Sequence, residues 1–449
     1  MRTAVPLTSP VILRGRPGAA QGWPRRAEHV GVVVPNRPDG GQAQREAAPD
    51  VTVVLPAWTD GEGADRVGTL FRGVMHAQPD GVWAAPGRVN VIGEHVDYNG
   101  GLCLPMALPH RTFAAVRRRD DGVVRVVSAL DPSRVWTGTA DRVVPGGVAG
   151  WVAYAAGPVW ALAQEDLLVG GFDAAVDSCV PLGAGLSSSA AIECAVATGL
   201  DEVYGLGLLA AGDAGRARLA GVCVRAENDV AGAPTGGMDQ AASMRARSGH
   251  ALLLDTLDSS VVQVPFDLAA AGLELLVIDT RAEHALVDGQ YAARRASCHA
   301  AAQVLGVGTL REVEDLDAAL AALADDEVAR RRVRHVVTEI ARVAELVALV
   351  REGRLREIGP LLDASHESLR VDYEVSCAEL DVAVSAARDA GALGARMTGG
   401  GFGGSAIALV AADAAGSVAE AVAGAFAEHG WGEPGFLLAT PADGAARVA

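Results

Sequence analysis

The amino-acid sequence predicts an α+β fold built from two packed domains. The chain has 449 residues, which exceeds the size that one hydrophobic core usually organises. Half of these residues are apolar, an ordinary share for a globular protein and ample for burial. Segments rich in β-branched residues come first along the chain, and segments with helical periodicity dominate after them.

The first stretch of the chain is not expected to form a domain. Residues 1–62 mix Pro, Gly, Arg and Gln with short apolar runs such as residues 30–34, and this composition is too poor in periodic hydrophobic residues for a packed unit. We therefore expect a flexible N-terminal extension. A regulatory or targeting arm is the functional alternative for this segment.

Regular structure is predicted from about Asp65. Val67 and Phe71 have the spacing of one face of a helix, and Gly81 and the Pro86–Gly87 pair predict turns after it.

The remaining elements follow from the hydrophobic pattern. Strands are predicted from β-branched content and apolar–polar alternation at residues 112–117, 123–127, 172–180, 252–254 and 273–278. Helices are predicted from helical periodicity at residues 190–203, 216–228, 282–305, 328–352 and 380–390. We place an N-terminal domain at residues 63–268 and a C-terminal domain at residues 269–449.

The charged residues exclude several classes of function. A formal net charge of −17 argues against nucleic acid as a partner, because broad binding depends on basic residues that displace counterions. The sequence contains no lysine, which excludes a Walker A phosphate loop, a kinase-fold catalytic lysine and Schiff-base chemistry. Any bound ATP must therefore be held by backbone amides, arginine and a metal ion.

Hydropathy and cysteine spacing indicate the cellular location of the protein. No apolar run approaches the roughly 20 residues that span a bilayer, so a membrane is not expected as a partner. The 6 cysteines lie far apart without the spacing of a metal site, which favours reduced and mostly buried thiols. We expect a cytoplasmic protein, and the sequence does not identify protein partners.

The first segment with chemical content, residues 84–101, places polar side chains on a glycine-rich stretch. Carboxylates are strong acceptors for sugar hydroxyls, so Glu94 and Asp97 are suited to clamp a hydroxylated ligand. The alternative is a solvated turn whose charges cap each other.

The second segment, residues 181–190, reads Pro-Leu-Gly-Ala-Gly-Leu-Ser-Ser-Ser-Ala between a predicted strand and a predicted helix. Glycines let backbone N–H groups turn inward, and the helix N-terminus adds unpaired amides and a positive dipole end. These features predict a phosphate site. The alternative is a helix start capped by serine.

Two further segments complete the pattern. In residues 225–240, Glu227 ends a helical pattern and Asp239 follows a Pro-Thr-Gly-Gly turn, so the two acids are candidates for a magnesium ligand and a base in phosphoryl transfer. Either acid alone is equally compatible with helix capping. Residues 397–405 carry glycines around one Phe between a helix predicted to end near Gly394 and an apolar strand, which allows close approach of another backbone.

Together, in this order and at these separations, the four segments resemble the galactokinases within the GHMP kinase superfamily. The resemblance runs from about residue 65 to the C-terminus. Residues 87–101, Gly-Arg-Val-Asn-Val-Ile-Gly-Glu-His-Val-Asp-Tyr-Asn-Gly-Gly, are similar to the galactokinase signature and are its most specific part. The serine-rich loop and the Gly-rich motif at residues 399–404 are shared more widely across the superfamily.

The resemblance implies a two-domain GHMP kinase architecture with the active site in the cleft between the domains, and a function in galactose catabolism. It implies galactose and ATP as substrates, Mg²⁺ as cofactor, and phosphorylation of the anomeric hydroxyl. Asp239 would be the catalytic base and Arg88 would neutralise it. Sugar-binding roles fall to Glu94, His95, Asp97, Gly236 and Tyr291. ATP-binding roles fall to Gly183, Ala184, Gly185, Leu186, Ser187, Ser188, Ser189, Ser128 and Trp151, with Ser189 and Glu227 on the metal.

Two other functions remain open from the sequence. The first is another GHMP sugar kinase, acting on N-acetylgalactosamine or arabinose. The second is a non-catalytic galactose sensor, against which the complete Ser187–Ser189 run argues, because such relatives tend to lose part of this loop.

Overall fold

The computed structural model describes residues 55–282 and 287–449. Its helices are α1 (Asp60–Met75), α2 (Val152–Ala163), α3 (Ser188–Val203), α4 (Asp213–Arg225), α5 (Met238–Arg245), α6 (Val287–Leu305), α7 (Leu316–Ala322), α8 (Glu327–Arg351), α9 (Gly359–Ser368), α10 (Ala378–Asp389) and α11 (Ala415–Glu428). Its strands are β1 (Gly81–Asn90), β2 (Leu102–Cys103), β3 (Pro105–Arg119), β4 (Val123–Ser128), β5 (Asp131–Thr139), β6 (Gly171–Ser178), β7 (His250–Asp255), β8 (Ser260–Pro265), β9 (Leu273–Asp279), β10 (Gly394–Thr398), β11 (Ser405–Ala411), β12 (Gly435–Ala439) and β13 (Ala446–Arg447).

A six-stranded sheet organises the first part of the chain, in the order β13-β1-β3-β6-β4-β5. Its pairs are antiparallel except for β4 and β6, which run parallel. Helices α2 and α3 pack against one face through a cluster that includes Trp83 and Phe172. Helix α1 packs Val67 and Phe71 against the other face. The sheet is therefore covered on both sides, as an all-buried β1 requires.

A second, four-stranded antiparallel sheet has the order β10-β11-β9-β12. Residues of β9 to β11 share one apolar cluster with residues of α6, α8, α10 and α11. Strands β2, β7 and β8 form a small third sheet. A separate cluster joins the two large sheets, because it contains Val89 of β1, Val277 of β9 and Leu346 of α8. This shared core fixes the loops of both halves relative to one another.

Most predicted elements are confirmed. The α+β class is confirmed, and α1, α3, α8, α10 and strands β3, β4, β6, β7 and β9 coincide with predicted segments to within a few residues, except that β3 extends well beyond residues 112–117 at its N-terminal end. The helix predicted at residues 216–228 is α4, which gives way at Ala226 to a π-helix, Ala226–Ala231. The helix predicted at 282–305 is α6, and residues 283–286 at its start lie outside the described residues.

Two local predictions are wrong. Gly81 and the Pro86–Gly87 pair are not turns, because all three residues lie in β1, where the pairing with β3 shifts register between Pro86 and Arg88. Proline and glycine usually indicate a turn, but a β-bulge allows both residues within a strand, which is why the prediction was wrong here. The helix expected to end near Gly394 ends at Asp389, and Gly394 begins β10.

Most of the predicted N-terminal extension lies outside the described residues. Its last residues, 55–62, are described and belong to the folded body. The Leu55 N–H donates to the Phe436 carbonyl, Trp58 stacks on Phe113, and Thr59 and Glu62 form a capping box that starts α1. Among the described residues, no helix is long and apolar enough to cross a membrane.

Candidate active site

A cavity of about 290 Å³ lies where the loops of the two sheets meet. Segments from all four chemically informative stretches of the sequence line it. They include the signature stretch after β1, the loop before α3, the segment between the π-helix and α5, and the loop between β10 and β11.

An arginine–aspartate pair occupies the side of the cavity formed by β1 and α5. Arg88 Nε and Nη2 lie 2.9 and 2.8 Å from Asp239 Oδ1, and Arg88 Nη1 donates to the Gly185 carbonyl at 2.6 Å. The Ser187 hydroxyl donates to Asp239 Oδ2 at 2.5 Å. The Arg88 side chain is 6% exposed and that of Asp239 is 22% exposed. The guanidinium is thus locked into the wall, while the carboxylate keeps an accessible edge.

The serine-rich loop meets α3 in the geometry of an anion site. Gly183 and Gly185 both have a φ of 70°, and α3 begins at Ser188 with Ser187 in the left-handed region at its N-cap. The Ser187 side chain makes no capping hydrogen bond, because its hydroxyl is directed to Asp239. Simple capping therefore does not account for this serine.

The loop between β10 and β11 supports the serine-rich loop from behind. A Cβ placed on Gly399 would lie 2.8 Å from the Gly185 carbonyl oxygen, and the Ser405 hydroxyl donates to the Ala184 carbonyl at 2.7 Å. On the β1 side, a Cβ on Gly87 would lie 2.6 Å from the Leu186 carbonyl oxygen. The predicted close approach of two backbones is present, and glycine is required at these contacts because a side chain would clash.

Glu94 and His95, both buried, face the same glycine-rich loop. Glu94 Oε1 accepts from the Gly399 N–H at 2.7 Å and from the Thr398 hydroxyl at 3.1 Å. His95 Nε2 lies 3.2 Å from the Gly400 carbonyl oxygen, and Nδ1 lies 2.9 Å from the Tyr98 hydroxyl. Burial and the nearby charges of His335, Arg294 and Arg396 lower the pKa of His95 to about 3.

Asp97 lies at the start of a short 3₁₀ turn and lines the cavity. Burial, followed by the negative charges of Asp239 and Glu94, raises the pKa of Asp97 to about 7. Gly236 adjoins this carboxylate, since a Cβ there would lie 2.2 Å from Asp97 Oδ2. The Tyr291 ring also lines the cavity, with its centroid 5.4 Å from that of His95.

Glu227 lies in the π-helix and faces the cavity beside Ser189. Gln240 Nε2 donates both to Glu227 Oε2 and, at 3.1 Å, to Glu193 Oε2. Burial and the charge of Asp239 raise the pKa of Glu227 to about 7, against a hydrogen bond from the Ser189 hydroxyl. Such a carboxylate is stabilised by a cation. The described residues contain no group of three or more His, Cys, Asp or Glu side chains that could hold a metal.

This donor set fits Mg²⁺ rather than a metal caged by protein. Magnesium is usually held by one or two carboxylates together with water and substrate phosphates, and Glu227 and Ser189 offer one carboxylate and one hydroxyl beside the phosphate-type loop.

The structure brings most of the predicted site residues together. Those that line the cavity are Arg88, Glu94, His95, Asp97, Gly183, Gly185, Leu186, Ser187, Ser188, Ser189, Glu227, Asp239 and Tyr291. Ala184 is buried behind the loop and contacts Ser405. Ser128, at the end of β4, and Trp151, at the start of α2, do not line this cavity, and their nucleotide roles stay predictions.

Several residues of the site were not assigned from the sequence. Gly399 and Gly400 line the cavity, and the glycine run was the signal for them. Tyr98 and Gln240 make hydrogen bonds to the cavity residues His95 and Glu227, and Tyr373 makes one to Tyr98. Gln240 directly follows Asp239 in the sequence, whereas nothing in the sequence links Tyr373 to His95.

Three family models match consecutive parts of the chain. The galactokinase galactose-binding signature matches residues 69–118. The GHMP kinases N terminal domain matches residues 153–247, and the GHMP kinases C terminal model matches residues 346–428.

Curated and solved relatives agree with these models. A galactokinase of Streptomyces coelicolor is 52% identical over 86% of this chain and 98% of its own length. A galactokinase of Mycobacterium tuberculosis is 45% identical over 81% of this chain and 98% of its own. The crystal structure of Lactococcus lactis galactokinase complexed with galactose superposes with a TM-score of 0.80 at 32% identity, covering 85% of this chain and 99% of that one.

Proposed function

Because the chain belongs to the galactokinase family of GHMP kinases and is a sugar kinase, we propose that it transfers the γ-phosphoryl group of ATP to the anomeric hydroxyl of galactose. The resemblance predicted from the sequence, and with it the two-domain GHMP kinase fold, is confirmed. The observation that carries the proposal is the single cavity in which the Arg88–Asp239 pair adjoins both the signature acids and the serine-rich loop.

The two substrates occupy opposite ends of this cavity in our proposal. Asp97 and Tyr291 line the end formed by the signature stretch and α6, and carboxylate and phenol groups suit sugar hydroxyls. Gly183 and residues 185–189 line the other end, where backbone N–H groups and the α3 N-terminus suit phosphate oxygens. Asp239 lies between them, within reach of a hydroxyl that attacks the γ-phosphorus.

Asp239 acts as the base or as the orienting group for the anomeric hydroxyl. Arg88 contacts only its Oδ1, and Oδ2 accepts the Ser187 hydroxyl, so a sugar hydroxyl replaces or joins Ser187 at Oδ2. Arg88 places positive charge beside this carboxylate and beside the transferred group, where negative charge develops.

We assign Glu227 and Ser189 to Mg²⁺. When bound there, the ion would supply positive charge that offsets the charge of the ATP phosphates. Gln240 fixes Glu227 Oε2, so this carboxylate is held in place before the metal arrives.

A cytoplasmic location also belongs to this proposal. All 6 cysteines are free thiols, and Cys103, Cys194, Cys223 and Cys298 are buried, as is usual where thiols stay reduced.

Coupled ADP release tests the proposed function. The full chain is assayed with Mg²⁺·ATP and, in parallel, galactose, N-acetylgalactosamine, arabinose, mevalonate and homoserine. We expect the highest kcat/KM with galactose. A higher value with N-acetylgalactosamine or arabinose would favour the other sugar kinases, and no ADP release with any of them would favour a sensor.

A further inference from the structure

A chain of hydrogen bonds, partly buried at Tyr98 and buried beyond Tyr373, leads away from His95 into the C-terminal half. His95 Nδ1 lies 2.9 Å from the Tyr98 hydroxyl. The Tyr98 hydroxyl lies 2.8 Å from that of Tyr373, and the latter lies 3.0 Å from Cys298 Sγ. Tyr373 is fully buried. None of these three partners lines the cavity.

The direction of this chain is fixed at its other end. A carbonyl oxygen can only accept, so His95 Nε2 carries a proton and donates it to Gly400. His95 is neutral, because it is buried among Arg294, Arg396 and His335. Its Nδ1 therefore accepts from the Tyr98 O–H. Tyr98 in turn accepts from the Tyr373 O–H, which leaves the Tyr373 oxygen to accept from the Cys298 thiol.

Through its Nε2–H, His95 thereby holds the glycine-rich loop. Glu94 holds the Gly399 N–H and His95 holds the Gly400 carbonyl, so two adjacent signature residues clamp two adjacent loop residues. The same loop packs Gly399 against Gly185 and Gly404 against Ala184. A displacement of Gly400 is transmitted to the serine-rich loop, because these backbones are already in contact.

We propose that Tyr98 and Tyr373 are positioning residues that hold His95 in its Nε2–H tautomer, so that the ring keeps Gly400 and the glycine-rich loop in place between the two substrates. Without the Tyr98 hydroxyl, the Nδ1–H tautomer becomes available, and it would turn a ring lone pair toward the Gly400 carbonyl oxygen. The predicted effect of these residues on kinetics rests on the proposed function. The tautomer of His95 does not, because it can be measured without any substrate.

The first test is the tautomer of His95 in the ligand-free full chain. Long-range ¹⁵N–¹H spectra of ¹⁵N-histidine-labelled protein distinguish protonated from unprotonated ring nitrogens, and His95→Gln identifies the signals. We expect protonated Nε2 and unprotonated Nδ1. A protonated Nδ1, alone or together with Nε2, would overturn the proposal even if the enzyme phosphorylates galactose.

The second test is kinetic. Tyr98→Phe removes the hydrogen bonds of this hydroxyl to His95 and to Tyr373. We expect it to raise KM for both galactose and ATP about tenfold, with kcat changed less than about threefold. Tyr373→Phe, one bond further away, should raise both KM values by about threefold. In Tyr98→Phe the Nδ1–H tautomer should become detectable, a signature that mere loosening of the fold would not produce.

Tyr204→Phe is the matched control. Its hydroxyl is likewise hydrogen-bonded, lying 2.5 Å from the Gly171 carbonyl oxygen and 3.2 Å from that of Arg119. However, Tyr204 lies at the end of α3 away from the cavity. Both KM values should stay at the wild-type level in this variant. If Tyr98→Phe folds, keeps the Nε2–H tautomer and keeps both KM values, Tyr98 is not a positioning residue.

Discussion

Individual carboxylates in the cavity differ in what holds them. Asp239 is paired with Arg88 and Ser187. Asp97 and Glu227 are less well neutralised, and for both of them burial and the charge of Asp239 raise the pKa to about 7. Asp239 thus lies beside the positive charge of Arg88, whereas the environments of Asp97 and Glu227 favour a bound hydroxyl or cation.

The assignment of Asp239 predicts a large kinetic effect from a small change. Asp239→Asn keeps the shape and can still accept from Arg88, but the amide cannot take a proton from the sugar. We expect kcat to fall by about 10²–10⁴-fold, with KM for galactose changed little. Steady-state kinetics would show this. Asp229→Asn, an exposed acid of the neighbouring π-helix, is the control, and near-normal turnover of Asp239→Asn would reject the assignment.

Asp97 predicts a pH dependence of sugar capture. With a pKa of about 7, its carboxylate is protonated below that pH and accepts sugar hydroxyls less well. At saturating Mg²⁺·ATP, kcat/KM for galactose should therefore rise from pH 6 to pH 8. In Asp97→Asn this limb should be missing and kcat/KM should be lower throughout. A limb of the same size in the variant would assign it to another group.

The raised pKa of Asp97 also predicts that the stability of the protein falls as the pH rises, whereas kcat/KM for galactose rises. The unfolded carboxyl ionises near its ordinary value of 3.8, while the folded one keeps its proton to about 7. The folded state binds the extra proton in this window, so stability falls as pH rises through it and the loss is complete above pH 7. At pH 8, Asp97→Asn should increase the free energy of unfolding by on the order of 1–2 kcal/mol and so raise Tm, whereas at pH 4 it should change both very little. Asp120→Asn, which changes a 91% exposed side chain, should raise Tm at neither pH.

Sequence patterns identified the chemical groups of the site but not their pairings. Glu94, Asp97, Glu227 and Asp239 were predicted because the site chemistry needs their charges, and Arg88 was predicted from the resemblance to the galactokinases. The Ser187–Asp239 bond joins residues 52 positions apart, and the Tyr98–Tyr373 bond joins residues 275 positions apart. Such pairings depend on tertiary packing, so no local signal predicts them.

At the scale of elements, two glycine-rich loops and a bulged strand create the site. Strand β1 delivers Arg88 just after its register shift, and the loop between β10 and β11 packs its backbone on the loop before α3. Long periodic helices such as α8 were predictable because their pattern repeats over many turns. Strand β1 was not, because Pro86 and Gly87 normally end a strand.

The close packing of these two loops predicts how adding one methyl group at Gly399 would change KM for ATP. Gly399→Ala would place a Cβ 2.8 Å from the Gly185 carbonyl oxygen at a φ of 85°. The serine-rich loop must shift, so KM for ATP should rise about tenfold or more. Gly430→Ala shares the left-handed backbone, with a φ of 71°, but meets nothing within 4 Å. It should cost some stability and leave KM for ATP unchanged; an equal effect of both variants on KM would contradict the loop contact.

At the scale of the whole molecule, the C-terminal residues return to the N-terminal sheet. The predicted boundary between residues 268 and 269 separates the two large sheets, except that β13 returns from the C-terminus to pair with β1. Arg111 donates to the carbonyls of Asp443 and Gly444, and Arg216 donates to that of Ala445. No pattern in the last residues predicted this return, because β13 spans only Ala446–Arg447.

Because β13 pairs with β1, we predict that the C-terminal residues stabilise β1, the strand that carries Arg88. Deleting residues 446–449 removes the β13–β1 pairing and the contact of Arg447 with Trp83. Tm measured by calorimetry should fall by about 2–4 °C or more. Arg447→Ala keeps the backbone pairing and should lose less. An unchanged Tm after the deletion would show that the pairing contributes nothing to stability.

We propose above all that the cavity around Asp239 directs the γ-phosphoryl group of ATP to the anomeric oxygen of galactose. Proton-coupled ³¹P spectra of the product test this most directly. A phosphate on the anomeric oxygen couples to the anomeric proton, so in wild type we expect a doublet that collapses when that proton is selectively decoupled. Asp239→Asn should form this product at least about 100-fold more slowly. A triplet, which a phosphate on the terminal CH₂ group would give, or equal product from both proteins, would contradict the claim.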